Sequence, residues 1–212
     1  MGTEKIIQKA IKLYSGNGWK SIFVIWKFWE EPYTELEKLI PKKGKVVDIG
    51  CGEGILANFL ALMSEKRKII GFEIDKKRVS IADKKVPNTV FRYGDATKLT
   101  IPPTDVITFF HVLQHFNSYK EQEEVLKKCY KALKKGGKLL IVEVEIKPSF
   151  KYWICWVFDY FFVPWVFERK FYAPAFFRHS TEWKKLLNKI GFKCNIIPAE
   201  AGRPFSNVIL EC

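Results

Sequence analysis

The sequence predicts an α/β protein: a doubly wound, mostly parallel, seven-stranded sheet with helices on both faces. Three observations carry that expectation. The first is the run Lys45-Val46-Val47-Asp48-Ile49-Gly50-Cys51-Gly52-Glu53-Gly54, in which an apolar stretch leads into a carboxylate and three glycines at alternate positions. It reads as a strand turning tightly into a helix around a ligand, because glycine serves where the backbone takes positive φ or a ligand approaches without a Cβ in the way. The second is the alternation of strand-like and helix-like segments, which favours right-handed βαβ units and a parallel sheet. The third is size: 212 residues with 48% hydrophobic content suit one core and a single domain.

The elements follow in chain order. Ile6, Ile7, Ala10, Ile11 and Tyr14 recur at helical spacing after Thr3, a candidate N-cap, and Gly16-Asn17-Gly18 ends that helix. A second helix is expected over 19–29, rich in aromatics (Trp19, Phe23, Trp26, Phe28, Trp29). Strands are then expected at 45–49, 68–72, 89–93, 105–110 and 138–144. Helices are expected after Gly54 and over 76–84 and 119–134, the last bounded by Gly136-Gly137. A helix over 181–190 stopped by Gly191, a strand at 192–197 and a last, antiparallel strand at 207–211 complete the sheet. The organisation is an N-terminal helical lid (1–43), a ligand-binding core (44–146), an aromatic insert (147–180), and a C-terminal helix and strands (181–212).

The insert stands apart, with thirteen aromatics from Tyr152 to Phe177. A membrane span needs about 18 uninterrupted apolar residues, and Lys151, Asp159, Pro164 and Glu168-Arg169-Lys170 interrupt this stretch. A transmembrane helix is therefore not expected. The net charge of +13 favours anionic surroundings such as nucleic acid, phospholipid headgroups or an acidic protein, although a lysine-rich solvated surface accounts for it equally well. Five scattered cysteines without a C-x-x-C pair or a leading signal peptide fit a reduced cytoplasmic protein with no disulfide and no structural zinc. Cys51, inside the glycine turn, reads as structural.

The glycine turn, the acid Glu73 closing the second strand in Gly71-Phe72-Glu73-Ile74-Asp75, Gly94-Asp95 after the third strand, and 133–141 (LKKGGKLLI) before the fifth together resemble the class I S-adenosylmethionine-dependent methyltransferases, from about Gly44 to the C-terminus. Asp48 to Gly54 matches that family's D-x-G-x-G-x-G motif. Dinucleotide oxidoreductases carry G-x-G-x-x-G instead. The resemblance implies S-adenosyl-L-methionine as cofactor and S-adenosyl-L-homocysteine as product. It places Asp48, Gly50, Cys51, Gly52 and Gly54 around the methionyl moiety, Glu73 on the ribose hydroxyls, Ile74 over the adenine, and Asp95 with its neighbour Ala96 toward the adenine amine. Two structural readings stay open: Gly54 as a packing glycine and Asp95 as a turn cap.

Methyl transfer from a sulfonium is an in-line displacement that rests on alignment and exclusion of water, and it requires no metal. The segment from Phe110 to Phe116 follows the fourth strand, where the family faces the methyl group. His111 is therefore expected to face cofactor and acceptor, as a general base or as a pocket wall. His115 is the other candidate catalytic base, or lines the next loop, and His179 reads as part of a helix cap. The aromatic and basic residues of 19–29 and 150–177 resemble an interfacial surface. They point to an apolar, lipid-like small-molecule acceptor, met in the cytoplasm or at the inner face of the cell membrane. The alternatives are a small polar acceptor under a closed aromatic lid, RNA, and a non-catalytic binding module. Against nucleic acid stands Phe109-Phe110-His111-Val112, which carries no amino-methylation motif.

Overall fold

The computed structural model describes residues 2–15, 18–146, 150, 153, 157, 176–199, 202 and 206–212, with the side chains of α2 described from Val24 onward. Most of the aromatic insert therefore lies outside the described residues, as do Trp19, Lys20 and Phe23 as side chains. The elements run α1 (Thr3–Lys12), α2 (Gly18–Glu30), α3 (Tyr33–Leu39), β1 (Gly44–Ile49), α4 (Ile55–Met63), β2 (Arg67–Glu73), α5 (Lys76–Ala82), β3 (Thr89–Tyr93) and β4 (Thr104–Phe110). A short 3-10 turn (Leu113–His115), α6 (Tyr119–Ala132), β5 (Leu133–Val144), α7 (Ser180–Ile190), β6 (Asn195–Pro198) and β7 (Asn207–Glu211) follow.

The sheet has the order β3-β2-β1-β4-β5-β7-β6. The first five strands are parallel, and β7 runs antiparallel to both its neighbours. Strand order reverses between β1 and β4, so the crevice at their C-terminal ends is the natural ligand site of such a sheet.

Alternation along the strands divides the core into two layers. Val46, Val106, Leu140 and Val142 face a cluster with Leu36, Leu56, Phe59 and Leu60 of α3 and α4. Val47, Ile107, Leu139 and Ile141 face the opposite cluster with Val125 and Leu126 of α6 and Trp183 and Leu187 of α7.

Two polar clamps fix the N-terminal segment to this core. The fully buried Arg67 pairs with Glu37 of α3 at 2.8 Å and donates to the carbonyls of Ile40, Pro41 and Leu60. Each of those hydrogen bonds engages a charge that burial would otherwise leave costly. Tyr14, just past α1, donates to the carbonyl of Glu53 in the glycine turn at 2.9 Å and accepts from Asn58 of α4 at 2.8 Å.

Several boundaries differ from expectation. Gly2, not Thr3, holds the N-cap position of α1. Helix α5 ends at Ala82, and α6 ends at Ala132 rather than at 134, so that Gly136-Gly137 falls inside β5. There the ladder jumps from Thr104↔Leu133 to Val106↔Lys138, and Gly136 takes φ 77° in the bulge. The cysteine reading is corrected as well: Cys194 and Cys212 form a disulfide. The antiparallel register pairs Asn195 with Glu211, which brings the next residues out, Cys194 and Cys212, to a Cα separation of 4.1 Å.

Candidate active site

The C-terminal end of β1 becomes a cradle because its glycines do what other residues do not. Gly50 has φ 71°, and a Cβ there would stand 2.5 Å from Val112. Gly52 has φ 54°, and a Cβ there would meet no protein atom, so this part of the turn faces open space. The turn is tied to β2 by Gly50 and Cys51, whose N–H groups donate to the carbonyl of Phe72, and by Gly52, whose N–H donates to Glu73 Oε2 at 2.9 Å. Glu73 Oε1 accepts from the N–H of Asp75 at 3.0 Å. A carboxylate offers about four acceptor positions, so this buried acid is fixed in place and still has capacity for a pair of hydroxyls.

Gly54 does not line the cleft. A Cβ there would lie 2.8 Å from Ala82 Cβ and 2.9 Å from the Phe91 ring, so its role is to let α4 pack against α5 and β3. Asp48 is buried at the base of the site and accepts from Thr108 Oγ1 at 2.7 Å. Burial pushes its carboxyl up to about 7, with nearby Glu73 adding to the rise and the Thr108 hydrogen bond opposing it. A cationic ammonium is the group such a site would favour. The Cys51 thiol is raised well above its ordinary value by burial and packs beneath the turn toward Gly71.

Asp95 combines the two roles left open for it. Its Oδ1 accepts from the N–H and the hydroxyl of Thr97, at 2.9 and 2.7 Å, which holds the carboxyl below its usual range. It also lines the cleft beside Ala96, while Ile74 projects as an exposed apolar side chain at the rim.

The far wall of the cleft comes from the end of β4. His111 takes φ 53°, a left-handed conformation uncommon for a residue with a side chain, and such strain persists only where the surroundings impose it. They do so here. The N–H of His111 donates to Val142, and the next two N–H groups donate to Glu143 Oε1, a buried carboxylate of β5. His111 Nε2 lies 3.0 Å from Glu31 Oε2. His115, in the 3-10 turn, is exposed on the cleft wall, and His179 stands at the N-cap of α7, its N–H donating to Glu182.

Glu30 and Glu31 are the residues that sequence reasoning missed; Lys27, read as part of an interfacial surface, and Asn207 join them at the site. Glu31, 2% exposed, accepts from Lys27 Nζ at 2.9 Å on Oε1 and from Asn207 Nδ2 at 3.3 Å on Oε2, the atom that also faces His111. Burial opposes its ionisation, but His111 and Lys27 outweigh burial and hold its carboxyl well below the usual range. Glu30, also buried, is pushed up to about 8 by burial, with Lys27 opposing and Glu31 adding to the shift. Near neutral pH the pair thus splits into one carboxylate and one carboxylic acid. The only sequence signal was a Glu-Glu-Pro at a helix end, which ordinarily reads as a solvated terminus.

These walls enclose a cleft of about 460 Å³, a size suited to a nucleoside-sized ligand with room beside it. It brings together Asp48, Gly50, Cys51, Gly52, Glu73, Ile74, Asp95, Ala96, His111 and His115 of the expected residues. Beyond the cradle the described wall is formed by the charged Lys27, Glu30 and Glu31 and the aromatic Tyr33, while Ile25 and Trp29 point to solvent.

A model of a methyltransferase domain family matches residues 23–195. Among curated proteins, the chain is 29% identical to a demethylmenaquinone methyltransferase of Thermotoga maritima over 58% of this chain and 52% of that one. It is 27% identical to a ubiquinone/menaquinone biosynthesis C-methyltransferase of Wigglesworthia glossinidia brevipalpis, over 61% and 54%. It thus spans about half the length of the curated relatives it matches. Among solved structures it is similar to a methyltransferase of Thermotoga maritima described as a possible histamine N-methyltransferase, at TM-score 0.67 and 23% identity over 95% of this chain and 97% of that one. It is also similar to the DhpI complex with S-adenosylhomocysteine, at TM-score 0.70 and 17% identity over 99% and 95%. These two likenesses concern the fold. With most of the chain matched, and with a glycine cradle, a buried Asp48 and a fixed Glu73 that fit S-adenosylmethionine as cofactor, the chain belongs to the S-adenosylmethionine-dependent methyltransferase domain family.

Proposed function

We propose that this protein methylates an apolar small molecule whose reacting end is an acidic ring hydroxyl, of the quinol kind. The observation that carries this reading is the His111–Glu31 pair, a buried carboxylate on the imidazole at the strand end that bounds the cofactor cradle. The names of the curated relatives, which act in menaquinone and ubiquinone methylation, support the acceptor class. So does a cleft whose polar lid end adjoins apolar walls from Ile55, Leu56, Phe110 and Val144.

Bound S-adenosylmethionine supplies a methyl group activated on a sulfonium centre. The protein's residues do the rest. Ionised Glu31 accepts a hydrogen bond from Nε2–H and so keeps the basic lone pair on Nδ1, the arrangement that lets a carboxylate orient a histidine base. His111 takes the hydroxyl proton through Nδ1, and Glu31 stabilises the resulting imidazolium. The electron pair left on the acceptor, on oxygen or by conjugation on the adjacent ring carbon, becomes the nucleophile. Proton removal of this kind contributes about 10²–10⁴-fold.

Delivery of the acceptor from an anionic membrane surface belongs to the same reading. Phe150, Trp153 and Val157 are 80%, 58% and 51% exposed, on a chain of charge +13, a combination suited to headgroup depth. No helix among the described residues is long and apolar enough to cross a membrane. Co-sedimentation with anionic but not neutral liposomes tests the surface role.

The test of the activity is transfer of labelled methyl from S-adenosylmethionine to naphthohydroquinone, histamine or total RNA, offered separately. Label in the quinol supports the reading. Label confined to the amine or to RNA contradicts it.

A further inference from the structure

Tyr33 opens α3 and stands beside the His111–Glu31 pair. Its N–H donates to the carbonyl of Glu31 at 2.9 Å, and its ring centre lies 4.8 Å from that of Phe110. Phe110 in turn packs at 5.1 Å against the imidazole of His111. On its other sides the tyrosine ring meets Phe28 of α2 edge-on at 5.2 Å and Phe59 of α4 at 6.5 Å. Aromatic neighbours from three elements thus fix the direction of the hydroxyl. Tyr33 is 5% exposed, and the space it borders is the cleft.

The hydroxyl forms no hydrogen bond among the described residues. A buried tyrosine hydroxyl ordinarily finds a partner, and an unmet donor on the wall of a ligand cleft is best explained by a partner that arrives with the ligand. Burial, with Glu31, Glu30, Tyr14 and Asp48 adding to it, holds the phenol well above its ordinary range. It therefore keeps its proton, and what it lacks is an accepting lone pair. With the Glu31 carboxylate close by, a neutral oxygen suits the position better than a second carboxylate, which like charge would disfavour. That points away from the methionyl carboxylate of the cofactor and toward the other ligand.

We propose that the Tyr33 hydroxyl donates a hydrogen bond to a ring oxygen of the methyl acceptor and so orients that ring in the cleft. The proposal rests on the reading of the acceptor as a ring hydroxyl compound, and it gives that reading a specificity-determining residue. A hydrocarbon of the same shape leaves the donor unmet, whereas a ring oxygen meets a donor whose ordering was completed when the protein folded.

Tyr33→Phe isolates the hydroxyl, because the ring and its aromatic contacts stay. The test is calorimetric binding of naphthohydroquinone and of naphthalene, under argon, to protein saturated with S-adenosylhomocysteine. The variant is expected to bind the quinol about five- to tenfold more weakly than wild type, the worth of one buried hydrogen bond. Naphthalene is expected to bind both proteins within about twofold. The ligand-free variant is expected to keep or raise the thermal midpoint, since the hydroxyl has no partner to lose, and to bind S-adenosylhomocysteine within about twofold of wild type. Equal quinol affinity in the two proteins overturns the assignment of Tyr33 and leaves the acceptor reading intact. A loss confined to S-adenosylhomocysteine binding gives the hydroxyl to the cofactor, and a midpoint lowered by about 3 °C or more gives it to the fold; either overturns the proposal. Failure of wild type to bind the quinol overturns the proposal and the acceptor reading together.

Discussion

Glu31, just past the end of α2, lies 3.0 Å from the imidazole of His111, just past the end of β4, a contact across eighty positions of sequence. The candidate base is therefore assembled from two separate parts of the chain, and Asn207 at the start of β7 adds a third. Neither His111 nor Glu31 is positioned by its own element alone. Glu143 and Val142 of β5 hold the strained backbone around His111, while Lys27 saturates the second oxygen of Glu31.

Glu31→Gln keeps the shape of the side chain and removes its charge. Turnover on a quinol acceptor is expected to fall by about a hundredfold, with S-adenosylhomocysteine affinity within about twofold of wild type. Steady-state rates and calorimetry on the same preparations check both halves.

Glu73→Ala removes the acid that fixes Gly52 and Asp75 and faces the cleft at the end of β2. Cofactor affinity is expected to weaken more than tenfold, about 1.4 kcal/mol. An unchanged dissociation constant in calorimetry would remove Glu73 from the cofactor site.

Asp48 gives the site a pH dependence whose sign follows from its environment. Its carboxyl, pushed up to about 7 by burial, is protonated below that pH in the free protein. A bound ammonium favours the ionised form, so binding at lower pH must first expel a proton. Affinity for S-adenosylhomocysteine is expected to rise by roughly tenfold between about pH 5.5 and 8. Asp48→Asn should flatten that rise and weaken binding at the upper end.

The Cys194–Cys212 disulfide closes a loop with a sequence separation of 18 and staples β6 to β7 at the sheet edge. Cys194→Ser, or reduction, is expected to destabilise the fold by about 2–3 kcal/mol. The thermal midpoint should fall by about 5 °C or more. A midpoint insensitive to reductant would mean that the bond does not form.

The sheet and the cofactor cradle were legible because their signals are local. Apolar runs, glycines at alternate positions and an acid at a strand end need no knowledge of distant contacts. The boundaries at Gly136-Gly137 were misread because a glycine pair after a helix looks the same whether it stops the helix or forms a bulge in the next strand. The disulfide and the Glu31–His111 contact were illegible for a common reason. Cys194 and Cys212 face each other only once the β6–β7 register is set, and Glu30 and Glu31 are buried only once the end of α2 packs over β4 and β7. Within 24–31, Trp29 faces solvent and Phe28 packs on Tyr33 and Phe59, while Lys27, Glu30 and Glu31 face the site.

The most direct test of the central claim compares wild type and His111→Ala for transfer of labelled methyl to naphthohydroquinone at saturating S-adenosylmethionine. The account predicts that wild type methylates the quinol, and that the variant loses about a hundredfold or more in rate while binding S-adenosylhomocysteine as wild type does. Equal rates for the two proteins would contradict it, and would leave His111 as part of the wall of the pocket.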